Sequence, residues 1–206
     1  MKAKILAMTI LILSSVLLSC IGSSNFINKK YNFEKKKAIN LAVIPPQTEF
    51  NSYIDSLIVL AFNIDDYPKT TILDPAAIRE LYYGSQEIAK INNKIVTYDH
   101  TKEEISKGPN LSNILTDDEI STLRNFLAPA DFMLLPVVFG AKNVLMNNTF
   151  GSSRFRLYDL KSGELIYDKK EDPNVNVPGE EGKRYLLSFL IGRASVYYQD
   201  NFLHKF

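Results

Sequence analysis

The six residues INLAVI, Ile39–Ile44, constrain this chain most, because they are almost continuously apolar and stop at Pro45-Pro46. A strand with one wet face alternates apolar and polar residues, whereas a strand buried on both faces does not. The run therefore predicts an internal sheet strand covered above and below, with the prolines ending its ladder. The segments that follow supply the covers. Phe50–Ile64 carries Ile54, Leu57, Ile58, Ala61 and Phe62 at helical spacing, with Val59 and Leu60 widening the stripe. Thr70–Leu73 is β-rich and ends at Asp74-Pro75, after which Pro75–Leu81 starts a helix with proline at an early position. This order predicts an α/β fold with a mixed sheet flanked by helices in three layers.

The second half adds a hairpin and a terminal helix. Thr116-Asp117-Asp118-Glu119 matches a capping box, and the helix it opens runs through Ile120, Leu123 and Leu127 to Pro129. The box accounts for the spacing of those three acids, so no metal is expected there. Asp131–Phe139 reads as a buried strand whose Pro136 suits an edge or a bulge. Arg154–Leu160 alternates, with Phe155 and Leu157 on one face and Arg154, Arg156 and Tyr158 on the other. Lys161-Ser162-Gly163 then turns the chain into Glu164–Lys169. Arg184–Phe202 closes as a helix with Leu186, Leu190, Ala194 and Tyr197 on one stripe. Its breadth suits burial within the chain or a face shared with a partner, and those four residues are the candidate partner-contact face. Residues 82–115, broken by Gly84, Gly108-Pro109 and several asparagines, read as a variable insertion with one or two short helices.

The one cysteine of the chain, Cys20, follows Lys2, Lys4 and an apolar run from Ile5 to Leu18. That run has the length of a signal-peptide core and is shorter than the roughly 20 residues of a membrane span. Leu17-Leu18-Ser19-Cys20 resembles the lipobox of bacterial lipoproteins, which implies cleavage between Ser19 and Cys20 and lipidation of Cys20. The expected organisation is a signal peptide at 1–19, a lipidated flexible tether at 20–38, and a single α/β domain at 39–206. Lys29, Lys30, Lys35, Lys36 and Lys37 give the tether a basic character suited to anionic headgroups or to simple solvation. Ile21, in place of the aspartate that retains lipoproteins at the inner membrane in enteric bacteria, points by resemblance to the outer membrane, facing the periplasm.

With its cysteine at the anchor, the domain has no disulfide or thiolate metal site and must rest on its core. Residues 1–19 hold two of the 24 basic side chains and none of the 23 acidic ones, so the rest is charge-balanced and gives no case for nucleic-acid binding. The two histidines, His100 and His204, lie outside any zinc-protease pattern. Gly179–Lys183, GEEGK, lacks P-loop spacing, and the adjacent pairs Asp65-Asp66 and Asp117-Asp118 diverge rather than converge. The sequence therefore predicts no enzyme, cofactor or metal.

Together INLAVIPP, PADFMLLPVV and RFRLYDLKSGELIYD resemble the α/β lipoprotein domains related to CsgG, LpoB and the TolB amino-terminal domain. Asp159, Gly163 and Glu164 keep the hairpin pattern, while Pro129 stands in place of Gly and Phe132 in place of Tyr. The resemblance implies a non-enzymatic envelope protein acting through protein contacts or self-association, as an adaptor or assembly factor. Ligand-binding lipoprotein and secretion-channel component are the alternatives. A channel hairpin needs about 9–11 residues per strand, and GAKNVLMNNTFGSS is short, rich in asparagine and poorly alternating.

Overall fold

The computed structural model describes residues 25–33, 37–46, 49–65, 68–143, 148–171 and 179–205, with the backbone alone at 25, 138–143 and 148–152. Six strands form one mixed sheet: β1 (Asn25–Ile27), β2 (Ala38–Val43), β3 (Lys69–Ile72), β4 (Phe132–Asn143), β5 (Asn148–Asp159) and β6 (Leu165–Glu171). Their order across the sheet is β1-β6-β5-β4-β2-β3. β2 lies parallel between β3 and β4, while β4, β5, β6 and β1 run antiparallel in succession.

Helices cover both faces, as the doubly buried INLAVI run predicts. From β2, Ile39, Leu41 and Val43 enter one core, against Ile54, Ile58 and Phe62 of α1 (Asn51–Phe62) and Leu190, Ile191, Ala194 and Tyr198 of α6 (Gly179–Asn201). Ala42 and Ile44 enter the opposite core, against α2 (Pro75–Gly84), α3 (Gln86–Thr97) and α5 (Asp117–Leu127). Each fully buried aliphatic such as Ile54 or Ile58 contributes about 1.5–3 kcal/mol, and an acid in its place would leave an unpaired charge between sheet and helix.

The sequence marks several boundaries correctly. Asp74 caps α2 by accepting from the Ala76 N–H at 3.0 Å, with Pro75 next to it. Thr116 and Glu119 form the reciprocal box that opens α5. In the hairpin the Asp159 carboxylate accepts from the Lys161 and Ser162 N–H groups, and Gly163 takes a φ of 78°.

Three expectations need correction. Residues 82–115 are a structural layer: Ile88, Ile91 and Ile95 of α3, with Leu111 and Leu115, make up much of the second core. Two capped elements sit within that stretch, α4 (Lys102–Lys107) opened by a Thr101–Glu104 box and a 3-10 turn at Leu111–Asn113. Residues 25–31, expected within a flexible tether at 20–38, are tied to the sheet: β1 pairs with β6, Asn28 is buried, and Tyr31 donates to Asp159 at 2.6 Å. The last helix begins at Gly179. Pro136 lies as expected, on the part of β4 that has become an edge beyond its pairing with β2 through Leu134. Past β6, five residue pairs of the β4–β5 ribbon, from Phe139↔Ser152 to Asn143↔Asn148, project with no third strand. That is fewer than the about 9–11 residues per strand of a membrane-crossing hairpin.

Candidate functional site

The chain passes from β2 to β3 through α1 on one face, then from β3 to β4 through α2–α5 on the other, so β2 has its successive partners on opposite sides. Such a switch point opens a crevice at the carboxyl ends of the strands, where α/β folds bind ligands. A cleft of about 560 Å³ lies at this place, lined among others by Ile44, Pro45, Pro136, Val96, Leu186 and Leu187.

Prolines keep the cleft open. Ile44 donates its N–H to the Leu134 carbonyl at 2.9 Å, so the even-numbered residues of β4 direct their backbone groups toward β2. The next donor in that row falls at Pro136, which has none, and the β2 side continues as Pro45-Pro46, which also lack N–H groups. The ladder stops there, and among the described residues no backbone donor meets the Ile44 carbonyl. Loop contacts fix the walls. The Tyr83 hydroxyl donates to the Pro45 carbonyl at 2.9 Å, and Arg79, buried against the Asp55 carboxylate, donates to the Pro46 carbonyl at 3.4 Å. The Tyr82 hydroxyl occupies Asn92 Oδ1, leaving that residue its amide N–H groups to offer.

The titratable groups on the lining are Glu49, Tyr83 and Lys183. Lys183 Nζ lies 2.6 Å from Glu49 Oε1, joining the first turns of α6 to the loop before α1, with both side chains more than half exposed. This hydrogen bond raises the Lys183 pKa above the ordinary lysine value. Next to it the Arg184 guanidinium stacks 4.9 Å from the Phe50 ring. The arrangement holds an apolar group under a rim of paired charges.

A second cluster of polar groups lies where β5 and β6 meet the segment after α3. Arg154 grips both oxygens of Asp168, at 2.7 and 2.6 Å, and reaches Asp99 at 2.5 Å. Arg156, fully buried, donates to Asp168 at 3.1 Å and to the Ile95 and Tyr98 carbonyls. His100 packs against the Tyr98 ring with its side chain 2 % exposed and neither ring nitrogen hydrogen-bonded. Burial, then the Arg156 charge, lowers its pKa below the usual histidine value.

Of the residues singled out from sequence, Ser19 and Cys20 lie outside the described residues. The proposed partner face of the last helix is taken up within the chain. Leu190 and Ala194 are buried in the first core, Tyr197 is half-buried and bonds Glu171, and Leu186 lines the cleft. Of the two readings its breadth allows, burial within the chain holds for Leu190 and Ala194. The Glu119 carboxylate is committed to its cap and to Lys94. Sequence reasoning missed the cleft, although Pro45-Pro46 at the end of one apolar strand and Pro136 within another were available to mark it.

No protein-family model and no curated protein matches the chain. Among solved structures, the PelC dodecamer from Paraburkholderia phytofirmans is similar at 9% identity and a TM-score of 0.39, over 84% of this chain and 93% of that one. A substituted form of that dodecamer matches at 10% identity and a TM-score of 0.39, over 84% and 95%. The hypothetical protein CT253 from Chlamydia trachomatis matches at 12% identity and a TM-score of 0.37, over 82% and 99%. Scores at this level establish neither a shared fold nor a shared role.

Proposed function

We propose that the chain is a non-enzymatic, lipid-anchored envelope protein that works by binding, with the switch-point cleft as its binding site. The observation that carries this reading is a cleft already open and mainly apolar, whose few charged groups neutralise one another. General acid–base catalysis needs a group poised to exchange a proton with substrate; Glu49 and Lys183 are paired to each other at the rim instead. The anchor rests on the sequence at Leu17–Cys20, with the outer membrane as the favoured location.

A second reading, contact with a partner protein, is favoured by the outer surface of α1 and α6. There Leu60 is 81% exposed, and Tyr53, Val59, Tyr185 and Val196 are also exposed. Both readings require the anchor, and palmitate labelling tests it: the natural chain takes label, and Cys20→Ala takes none and accumulates uncleaved. Equal labelling of both would remove the anchor. Cross-linking of the natural chain in envelopes then separates the two readings. Products mapping to α1 and α6 would favour a protein partner, and products mapping to the cleft walls would favour a ligand.

A further inference from the structure

We infer that the cleft receives one acyl chain of a zwitterionic phospholipid from the membrane that anchors the protein. The inference rests on the lipid-anchor reading above and adds to it the occupant of the site.

Position is the first ground. Pro136 pairs with Phe155, Phe155 with Lys169, and Lys169 with Asn25, so β1 starts in the same cross-sheet row as the cleft floor. Three strand spacings separate Asn25 from Pro136, or about 14 Å. β1 runs antiparallel to β6, and β6 is antiparallel to β5, so β1 runs opposite to β2 and β4. The amino-terminal end of β1, at Asn25, therefore points toward the end of the sheet where β2 stops and the cleft opens. Cys20 is five residues ahead of Asn25 in sequence, a reach of at most about 17 Å. A lipid on Cys20 thus holds the cleft end of the sheet, rather than the opposite end, at the bilayer.

Chemistry is the second ground. An extended peptide joining the sheet would need alternating donors and acceptors from the edge it meets. Pro45, Pro46 and Pro136 have removed the donors, leaving carbonyls. A sugar or nucleotide would need several convergent polar groups, and Arg79 is spent on Asp55 while Lys183 is matched to Glu49. An alkyl chain asks for none of these. The apolar lining and a volume of about 560 Å³ fall in the usual range for one small ligand, about 300–1,000 Å³. The rim, with Lys183 paired to Glu49 and with Arg184 and Glu180 beside them, carries both signs in balance and so suits a headgroup that is neutral overall rather than an anionic one.

The test uses the full chain, expressed with its signal in a bacterial host fed a palmitate carrying a diazirine and an alkyne. This probe enters both phospholipids and lipoprotein anchors. After irradiation, digestion of the natural chain is expected to give a phospholipid adduct on peptides covering 44–50, 135–137 or 183–187, and light-independent label on the Cys20 peptide. Val96→Trp, which fills the cleft, should cut the adduct about tenfold, the change expected from ~1.4 kcal/mol of lost affinity. Leu186→Glu, which charges the wall, should do the same, and thermal melting verifies that each variant is folded. Label at Cys20 without a cleft adduct overturns the inference and leaves the anchor standing. A cleft peptide joined to the Cys20 peptide overturns the phospholipid source, since the occupant is then the protein's own anchor. Absence of label at Cys20 removes the anchor reading, and the inference with it, whatever the cleft binds.

Discussion

The Arg154–Arg156–Asp168 cluster and the switch-point cleft invert the usual appearance of structural and functional regions. The cluster is dense in charge and contains a histidine, yet both oxygens of Asp168 meet guanidinium groups, and Arg156 ends on two backbone carbonyls. The cleft is bland in composition, yet its strand ladder is cut short and, among the described residues, no backbone donor meets the Ile44 carbonyl. Access, rather than charge density, separates the two: the unmet groups of the cluster, the His100 ring nitrogens, are sealed inside, whereas the cut ladder lines an open cleft.

The strongest way to break the comparison is Asp168→Ala. It strands two arginines against the sheet, and losing one side of a buried pair costs about 3–5 kcal/mol. Chemical denaturation at neutral pH measures this, and a loss below about 1 kcal/mol would mean that water already satisfies the cluster. Replacing Arg156 by Met and Asp168 by Leu together should recover much of the loss, as apolar replacement of buried ion pairs does.

A smaller effect concerns His100. Its folded pKa lies below the unfolded value near 6.5, so in acid the unfolded chain binds the proton first and stability falls with pH. The contribution is complete above about 6.5 and is lost as pH drops toward the folded pKa, at no more than about 1.4 kcal/mol per pH unit for one proton. Arg154 holds the Asp99 carboxyl below its ordinary value, and hydrogen bonds from Tyr98 and Thr101 do the same for Glu104. Those groups act in a more acid window. Denaturation at pH 5 and 7.5 should therefore show a difference in the natural chain that shrinks in His100→Phe. An unchanged difference would place the titration elsewhere.

The smallest expected effect is at the cleft. Pro136→Val restores an N–H opposite the Ile44 carbonyl, and the new hydrogen bond contributes about 1 kcal/mol. The lost proline constraint on the unfolded chain offsets about 0.4–1 kcal/mol of that. Stability should hardly move, while the new amide becomes protected from hydrogen exchange and lipid adducts fall. Rapid exchange at residue 136 would show that the cleft is held open by something other than the missing donors.

What the sequence made legible is local. The Asp159 turn, the Thr116 box and the proline start of α2 are settled by groups within four residues of one another. Alternation in RFRLYDL was also readable, and Phe155 and Leu157 share one core while Tyr158 enters the other, but the burial of Arg156 was not. Its burial depends on the Ile95 and Tyr98 carbonyls, about sixty residues earlier in the chain. The layer at 82–115 escaped for a related reason. Ile88, Ile91 and Ile95 keep helical spacing, but their partners Met133 and Leu135 belong to a strand after the next helix pair. The cleft is a property of one strand's end brought beside the middle of another, and alone Pro45-Pro46 read only as a stop and Pro136 only as an edge or a bulge.

β1 is both the first described segment of the chain and an outermost strand of the sheet, three residues long. Tension on the segment ahead of Asn25 would load those three residue pairs in shear before either core is strained, since Phe26 and Ile27 are only partly buried. β1 would then act as a mechanical fuse. On the proposed anchor at Cys20, its release would let the domain stand farther from the bilayer by several residues and leave the other five strands intact.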